Sequence, residues 1–461
     1  MPDAPPRDAL HSALFTDMYE LTMAQAYDAE GMNDTAVFEL LFRNMPGDRN
    51  YFVAAGLDDV LAYLESFHVT DDDLAWLRRQ GMFAEPFLQR LGRLRFRGDV
   101  CAAPEGTIVF PGEPLLQIVA PLLEAQIVEM LVLNQIHFQT LAATKAARVV
   151  LAAAGRPVVD FGSRRAHGAD AALKVARASY LVGAVGTSNV LAGKTYGIPV
   201  SGTMAHSYVQ AHNDESQAFE AFARLYPETT LLVDTYDTIQ GVQKVIDLGR
   251  KLGAQFRVRS IRLDSGDLGA LARQARQMLD AAGLTGVRIF ASGGLDENQV
   301  ASLVREGAPI DVFGVGTKLA VSEDVPSLDM AYKLVEYAGI PRMKLSAKKV
   351  VLPGRKQVFR QAAGGRLVGD VIGQFAENLP GEPLLHDVMR GGKRLPGGRV
   401  TLEEARRYAR AEQNRLPESL RQLKQAAVPY PVEVSAALAR ESDALRRALE
   451  QSLIQTEAPR L

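Results

Sequence analysis

Between residues 155 and 340 the chain repeats one unit: an apolar run, a loop of Gly, Asp and Ser, then a segment of helical periodicity. The apolar runs fall at 157–161, 184–187, 198–203, 230–235, 260–263, 287–291, 311–314 and 331–335. Strands that are apolar almost throughout are covered on both faces, and strands alternating with helices imply a parallel sheet. Eight such units predict an α/β fold closed as a (β/α)8-type barrel, with a doubly wound open sheet as the alternative.

The flanks read differently. Residues 15–27 predict a helix behind a cap at Thr16 or Asp17, residues 36–42 a strand, and residues 57–66 a second helix. From 98 to 120, Pro and Gly turns separate short β segments, and 122–154 is a helical stretch without proline. Beyond residue 341 the chain is basic and turn-rich, then helical and charged at 402–413 and 435–451. Those charges fit solvated helix faces. The predicted regions are therefore 1–154, 155–340 and 341–461.

With 461 residues, 47% of them hydrophobic, the chain has material for roughly two to three domains. A net charge of −2 gives no support to a nucleic-acid partner. Cys101 is the only cysteine, which rules out an intrachain disulfide or a thiolate metal cluster and suits a reducing compartment. The opening MPDAPPRDALHS lacks the pattern of a secretory signal, and no run approaches the ~18 apolar residues of a membrane helix. The expectation is a soluble, cytoplasmic protein with no membrane partner. No His-x-x-x-His pair occurs among the seven histidines, so no dedicated metal site is expected.

Parallel α/β folds build their sites from loops at the carboxyl ends of the strands. Those positions hold Asp160, Phe161, Arg164 and Arg165, then Ser188, then Thr203 and His206, then Asp234, Arg262, Asp264 and Asp267. Two glycine clusters, FASGGLDE and FGVGTKLA, follow the sixth and seventh runs. Their backbone N–H groups at helix starts suit a phosphate, although tight turns need glycine too. Arg164, Arg165 and Arg262 suit phosphate or carboxylate, with pairing to Asp160 or Asp264 as the plainer reading. Asp264 and Asp267 fit ribose hydroxyls, Mg²⁺ held through water, or helix caps. Phe161 offers a ring face to a planar ligand, or core packing. For His206, in SGTMAHSYVQ, a structural role, a general base, a metal ligand and a phosphoryl acceptor all fit. His11, His68 and His386 read as peripheral, His137 as core or interface, and His167 and His212 lie near the rim.

In order along the chain, FTDMYELTMAQAY, FELLFRNMP, DFGSRRAHG, GTSNV, SGTMAHSYV, VDTYDT, RLDSGDL, ASGGLDE, FGVGTKL and KLSAKK with LPGRKQVFR resemble the bacterial nicotinate phosphoribosyltransferase family, within the type II phosphoribosyltransferases. The resemblance implies an irregular α/β barrel with an α+β domain built from the amino- and carboxyl-terminal regions. It implies transfer of phosphoribosyl from phosphoribosyl pyrophosphate (PRPP) to the nitrogen of nicotinate, giving nicotinate mononucleotide in NAD salvage. ATP hydrolysis is coupled to that transfer, with Mg²⁺ accompanying PRPP and ATP. Phe161 and Tyr19 would sandwich the pyridine, Tyr19 coming from the partner of a homodimer. Arg164 and its neighbour Arg165, Thr203, Arg262 and Asp264 match substrate-side positions. Ser292, Gly293, Gly294, Gly314, Gly316 and Thr317 match the 5′-phosphate loops. His206 matches the family's phosphorylated histidine, with Asp234 orienting its imidazole.

Rival readings are a quinolinate-using phosphoribosyltransferase, a Schiff-base aldolase on Lys318, and a nucleotide-sensing protein phosphorylated at His206. Nicotinamide-using relatives resemble GTD where this chain has GTS, at Ser188. An aspartate accepts from a carboxamide N–H and repels a carboxylate, whereas a serine donates to the carboxylate. Ser188→Asp should therefore shift preference from nicotinate toward nicotinamide in paired assays. Unchanged nicotinate turnover with no gain for the amide would overturn this.

Overall fold

The computed structural model describes residues 12–345 and 351–457, and side chains of the last helix only to residue 453. His11, most of the opening segment and residues 346–350 of the basic stretch 344–360 lie outside the described residues. The chain divides into two compact units, Leu141–Pro326 and the two chain ends, Met1–Thr140 with Ser327–Leu461.

The Leu141–Pro326 unit holds a six-stranded sheet, parallel throughout. Its spatial order is Gly186–Thr187, Val158–Asp160, Val312–Val315, Arg288–Ala291, Ser260–Leu263 and Thr230–Leu232. Val159, Leu231, Ile261, Ile289 and Phe313 are buried within it, as the apolar runs require. Within this sheet the strand that comes first in the chain pairs with the one that comes last, Val159 opposite Gly314, so the sheet curls as a barrel does. Four connecting helices begin on a side-chain cap: Asn189, Asp237, Asp267 and Asp296 accept from the N–H groups of Ala192, Gln240, Ala270 and Gln299. Much of the Asp and Asn at the strand ends is thus helix-cap chemistry.

Two of the eight expected strands are not in this sheet, which is a half-barrel. The run 198–203 contributes a single bridge, Thr187 to Val200. Pro199 has no N–H to give a ladder, and Val200 is exposed. The run 331–335 belongs to Met330–Tyr337, which pairs antiparallel with Thr35–Phe42 in the unit of the chain ends. An apolar run of that length looks alike in a parallel or an antiparallel sheet.

In the chain-end unit, a seven-stranded sheet sets Thr35–Phe42 between Met330–Tyr337 and Pro114–Pro121. His386–Arg390 extends it beyond Asp99–Ala102, so carboxyl-terminal strands complete a sheet begun at the amino end. The helix expected over 122–154 is broken into Leu122–Gln126 and Glu129–Ala152. Helices expected at 57–66, 402–413 and 435–451 form at Leu57–Ser66, Leu402–Arg415 and Ala436–Glu457. Among the described residues no helix is long and apolar enough to cross a membrane.

One buried cation organises a second, four-stranded sheet of this unit. Arg360, fully buried on the strand Lys356–Ala363, donates to Asp370 at 2.7 Å and to Glu412 of the helix Leu402–Arg415 at 2.8 Å. The Tyr430 hydroxyl donates to Asp370 from a third segment, at 2.9 Å. Removing the cation leaves the buried Asp370 without a cation, its bond from the Tyr430 hydroxyl remaining, and leaves the buried Glu412 to Arg415 at 2.8 Å. Arg360→Met should therefore cost about 3–5 kcal/mol in urea unfolding. A loss below about 1 kcal/mol would show that the carboxylates are satisfied without the arginine.

Candidate functional site

Phe161, Arg164, Ser188, Thr203, His206, Arg262 and Asp264 line one cavity of about 410 Å³, together with Ser163, Gly202, Met204, Ala205 and Leu232. All lie within Leu141–Pro326, at or just beyond the carboxyl ends of the parallel strands. Arg262 is the residue that joins the loops. Its Nε donates to Ser292 Oγ at 2.8 Å, one terminal nitrogen to Thr203 Oγ1 at 3.1 Å, and the other to Asp264 Oδ1 at 2.8 Å. Its guanidinium also stands 5.5 Å from the centre of the Phe161 ring. Burial works to raise the Asp264 carboxyl, but the bonds from Ser292 and Arg262 outweigh it and hold the group below its ordinary value. Asp264 is thus ionised at neutral pH.

His206 begins the short helix His206–Gln210 and is partly open to solvent. Its Nδ1 lies 3.2 Å from Thr235 Oγ1, and its Nε2 lies 3.8 Å from Asp264 Oδ2. Asp234, expected to orient the imidazole, is bonded elsewhere. Its Oδ2 accepts from the Asp264 N–H at 2.9 Å and the Ser265 hydroxyl at 2.7 Å, while its buried Oδ1 has no partner. It fixes the loop that carries Asp264. The ring's neighbour is instead Thr235, in the bend that follows the strand Thr230–Leu232.

The other expected residues divide by role. Asp160 is buried and carries no arginine among the described residues. It accepts from the Gly162 N–H and the Thr187 hydroxyl, each at 2.8 Å, and burial raises its carboxyl. It therefore holds two strand ends together. Asp267 caps its helix. Arg164 faces the cavity with no carboxylate partner among the described residues, and Arg165, its exposed neighbour, is outside the lining. Phe161 stacks on Phe290 at 5.5 Å and also lines the cavity. Tyr19 is 46% exposed on the helix Met18–Ala29 of the chain-end unit.

The glycine clusters sit just behind the lining. Gly293 has φ +97°, and a Cβ there would stand 1.8 Å from the Asp264 carbonyl oxygen. A Cβ on Gly314 would meet the Phe161 and Phe290 rings at 2.8 Å, so Gly314 makes room for an aromatic pair. Gly316 lies against the Phe161 backbone, and Ser292 is buried on Arg262. Gly293, Gly294 and Thr317 are exposed, and their N–H groups have no backbone or side-chain acceptor among the described residues. Lys318 pairs with Asp296 at 3.0 Å, and that hydrogen bond raises its ammonium group, the reverse of what a Schiff-base lysine needs. His137 accepts the Leu328 N–H inside the chain-end unit, His212 bonds the Tyr208 carbonyl, and His167 stays outside the lining.

Three family models match: the nicotinate phosphoribosyltransferase N-terminal domain over residues 14–137, the nicotinate phosphoribosyltransferase family over 157–349, and its C-terminal domain over 375–441. The chain is 58% identical over 436 residues to nicotinate phosphoribosyltransferase pncB2 of Mycobacterium tuberculosis, covering 95% of this chain and 94% of that one. The chain belongs to the nicotinate phosphoribosyltransferase family. It is also similar to the Bacillus subtilis nicotinate phosphoribosyltransferase, 43% identical over 80% of this chain and 77% of that one. A crystal structure of human nicotinic acid phosphoribosyltransferase superposes with a TM-score of 0.84 at 31% identity, over 93% of this chain and 99% of the other.

Sequence reasoning missed Thr235 and Ser163. VDTYDT contained Thr235, but nothing in the sequence assigns side-chain direction past the strand end. Ser163 lines the cavity with a buried, unpartnered hydroxyl, and in sequence it looks like any loop serine. The contact at Gly293 gives a direct check. Gly293→Ala must displace Asp264, and kcat/KM should fall at least about 100-fold. Gly294→Ala, at φ +65° with open space around it, adds only the roughly 1–2 kcal/mol strain of a left-handed alanine and should keep most activity. Equal activity in the two variants would overturn the assignment.

Proposed function

We infer that this chain transfers phosphoribosyl from PRPP to nicotinate, releasing pyrophosphate and forming nicotinate mononucleotide for NAD salvage. The observation that carries the reading is the Arg262 network: a fixed cation and an ionised Asp264 in one cavity with Phe161 and the uncommitted Arg164. Displacement of pyrophosphate from C1 leaves an oxocarbenium-like sugar, stabilised by an anion beside it and by cations on the leaving group. Asp264 supplies the first and Arg164 part of the second. Ser188, exposed at the cavity wall, donates to the carboxylate of nicotinate, and Phe161 offers its ring to the pyridine.

Mg²⁺ would enter with PRPP or ATP. Among the residues lining the cavity, Asp264 offers the hard oxygen ligand it prefers, completed by water and phosphate. Among the described residues no group of three or more His, Cys, Asp or Glu side chains could hold a metal ion. An ion held there would supply positive charge to offset what develops on the departing pyrophosphate. In the assembled protein we further propose a homodimer, with the exposed Tyr19 entering the partner's site to complete the ring sandwich.

The proposal extends to ATP. His206 has one ring nitrogen beside Thr235, the other toward Asp264, and a side chain open to the cavity, which suits an imidazole that accepts a phosphoryl group. The pyridine nitrogen attacking C1 carries no proton, so a general base has nothing to remove. Incubation with γ-labelled ATP should place acid-labile label on His206, released as phosphate when nicotinate and PRPP are both added. His206→Ala should abolish labelling and ATP stimulation while leaving slow, ATP-independent transfer. ATP stimulation that survives in His206→Ala would overturn the phosphohistidine, and CO₂ release from quinolinate would overturn the choice of nicotinate.

A further inference from the structure

Lys318 and Asp296 stand immediately after the two glycine clusters, and no role in the reaction has been given to either. Asp296 caps the helix Glu297–Arg305, which follows Ser292, Gly293 and Gly294. Lys318 lies in the first turn of Thr317–Ala320, which follows Gly314 and Gly316. The Lys318 Nζ donates to Asp296 Oδ2 at 3.0 Å and to Gln299 Oε1 at 3.4 Å, with Glu323 at 3.8 Å as a flanking carboxylate. Both side chains of the pair are about three-quarters or more buried. Surface ion pairs contribute little, but a largely desolvated pair with directional bonds holds its two backbones in register.

The next residue is anchored more deeply. Glu297 is buried and paired with Lys145 Nζ at 2.6 Å and with Arg148 Nε at 2.9 Å, and Lys145 also reaches Asp324 at 2.7 Å. Both cations come from the helix Glu129–Ala152. The first loop is thus fixed at its exit by Glu297, and the second is tied to the first by Lys318. The free N–H groups of Gly293, Gly294 and Thr317 are the groups whose spacing this arrangement sets. A phosphate gripped from two loops needs that spacing held to within about 0.5 Å.

We propose that Lys318 and Asp296 are positioning residues that clamp the two glycine loops at the separation required to grip the 5′-phosphate of the phosphoribosyl donor together. The proposal rests on the reading of these loops as the phosphate site. Neither side chain touches the phosphate. The pair acts by keeping two sets of backbone donors aimed at one anion.

The test uses the full chain, with Lys318→Gln, Asp296→Asn, the double variant and Lys318→Arg. Asparagine keeps the capping oxygen, so Asp296→Asn removes the ion pair without removing the cap. The KM for PRPP should rise about five- to twentyfold in both single variants, with the KM for nicotinate within about twofold. The double variant should be no worse than either single variant, as for two members of one interaction. Lys318→Arg should recover most of the loss. Unchanged KM for PRPP, additive losses, or an equal rise in both KM values would overturn the clamp. A second readout separates this from the loop reading. Nicotinate mononucleotide should raise the wild-type Tm far more than nicotinate riboside, and the variants should lose most of that difference. No difference in the wild type overturns the loop assignment itself, whereas a difference kept in full by the variants overturns only the clamp.

Discussion

A single guanidinium gives the site its shape. Arg262 bonds Ser292, Thr203 and Asp264 and lies over Phe161, so four strand-end loops converge on one planar cation. The fork geometry matters: its three nitrogens face three acceptors at fixed angles, which a lysine cannot reproduce. Parallel strands carry side chains to a rim, but a rim is wide and its loops are free to drift. The arginine converts that rim into a pocket in which Asp264 stays ionised although most of its side chain is removed from water.

Comparing Asp264 with Asp160 shows how environment assigns tasks to similar residues. Asp160 is almost fully buried with only neutral donors, an amide and a hydroxyl, and burial dominates, raising its carboxyl. Asp264 has comparable hydrogen bonds plus a cation, and there the cation and hydroxyl prevail. One carboxylate is therefore a brace between strands, and the other is an ionised group on the cavity wall. Asp234 is intermediate: one oxygen holds the Asp264 loop while the other is left unpartnered. The division follows from what each oxygen can reach and owes nothing to residue type.

That dependence on reach explains what was legible in the sequence. Strand and helix positions follow from periodicity, which is local, and the strands at 260–263 and helix at 57–66 lie where the pattern puts them. The site residues on the rim were also visible, because polar residues after apolar strands have a short list of uses. Pairings were not. Met330–Tyr337 reads as an eighth barrel strand until its antiparallel partner Thr35–Phe42 is known, nearly three hundred residues away. The choice of Thr235 over Asp234 as the imidazole's neighbour turns on the bend that follows the strand Thr230–Leu232. Gly314 reads as a phosphate glycine, yet its missing Cβ is needed by two aromatic rings.

The failure of 198–203 to form a full strand is itself part of the site. A ladder through these residues would fix alternate side chains up and down and commit the backbone N–H groups to a neighbour. Released after the single bridge at Val200, the segment instead turns Thr203 onto Arg262 and starts a new helix at His206. Gly202, Thr203, Met204, Ala205 and His206 all line the cavity in succession, which no regular strand could do with five consecutive residues. The gap between this segment and Thr230–Leu232 leaves the half-barrel open on the side where Thr235 meets the imidazole. The irregularity of the barrel and the position of His206 are one structural fact.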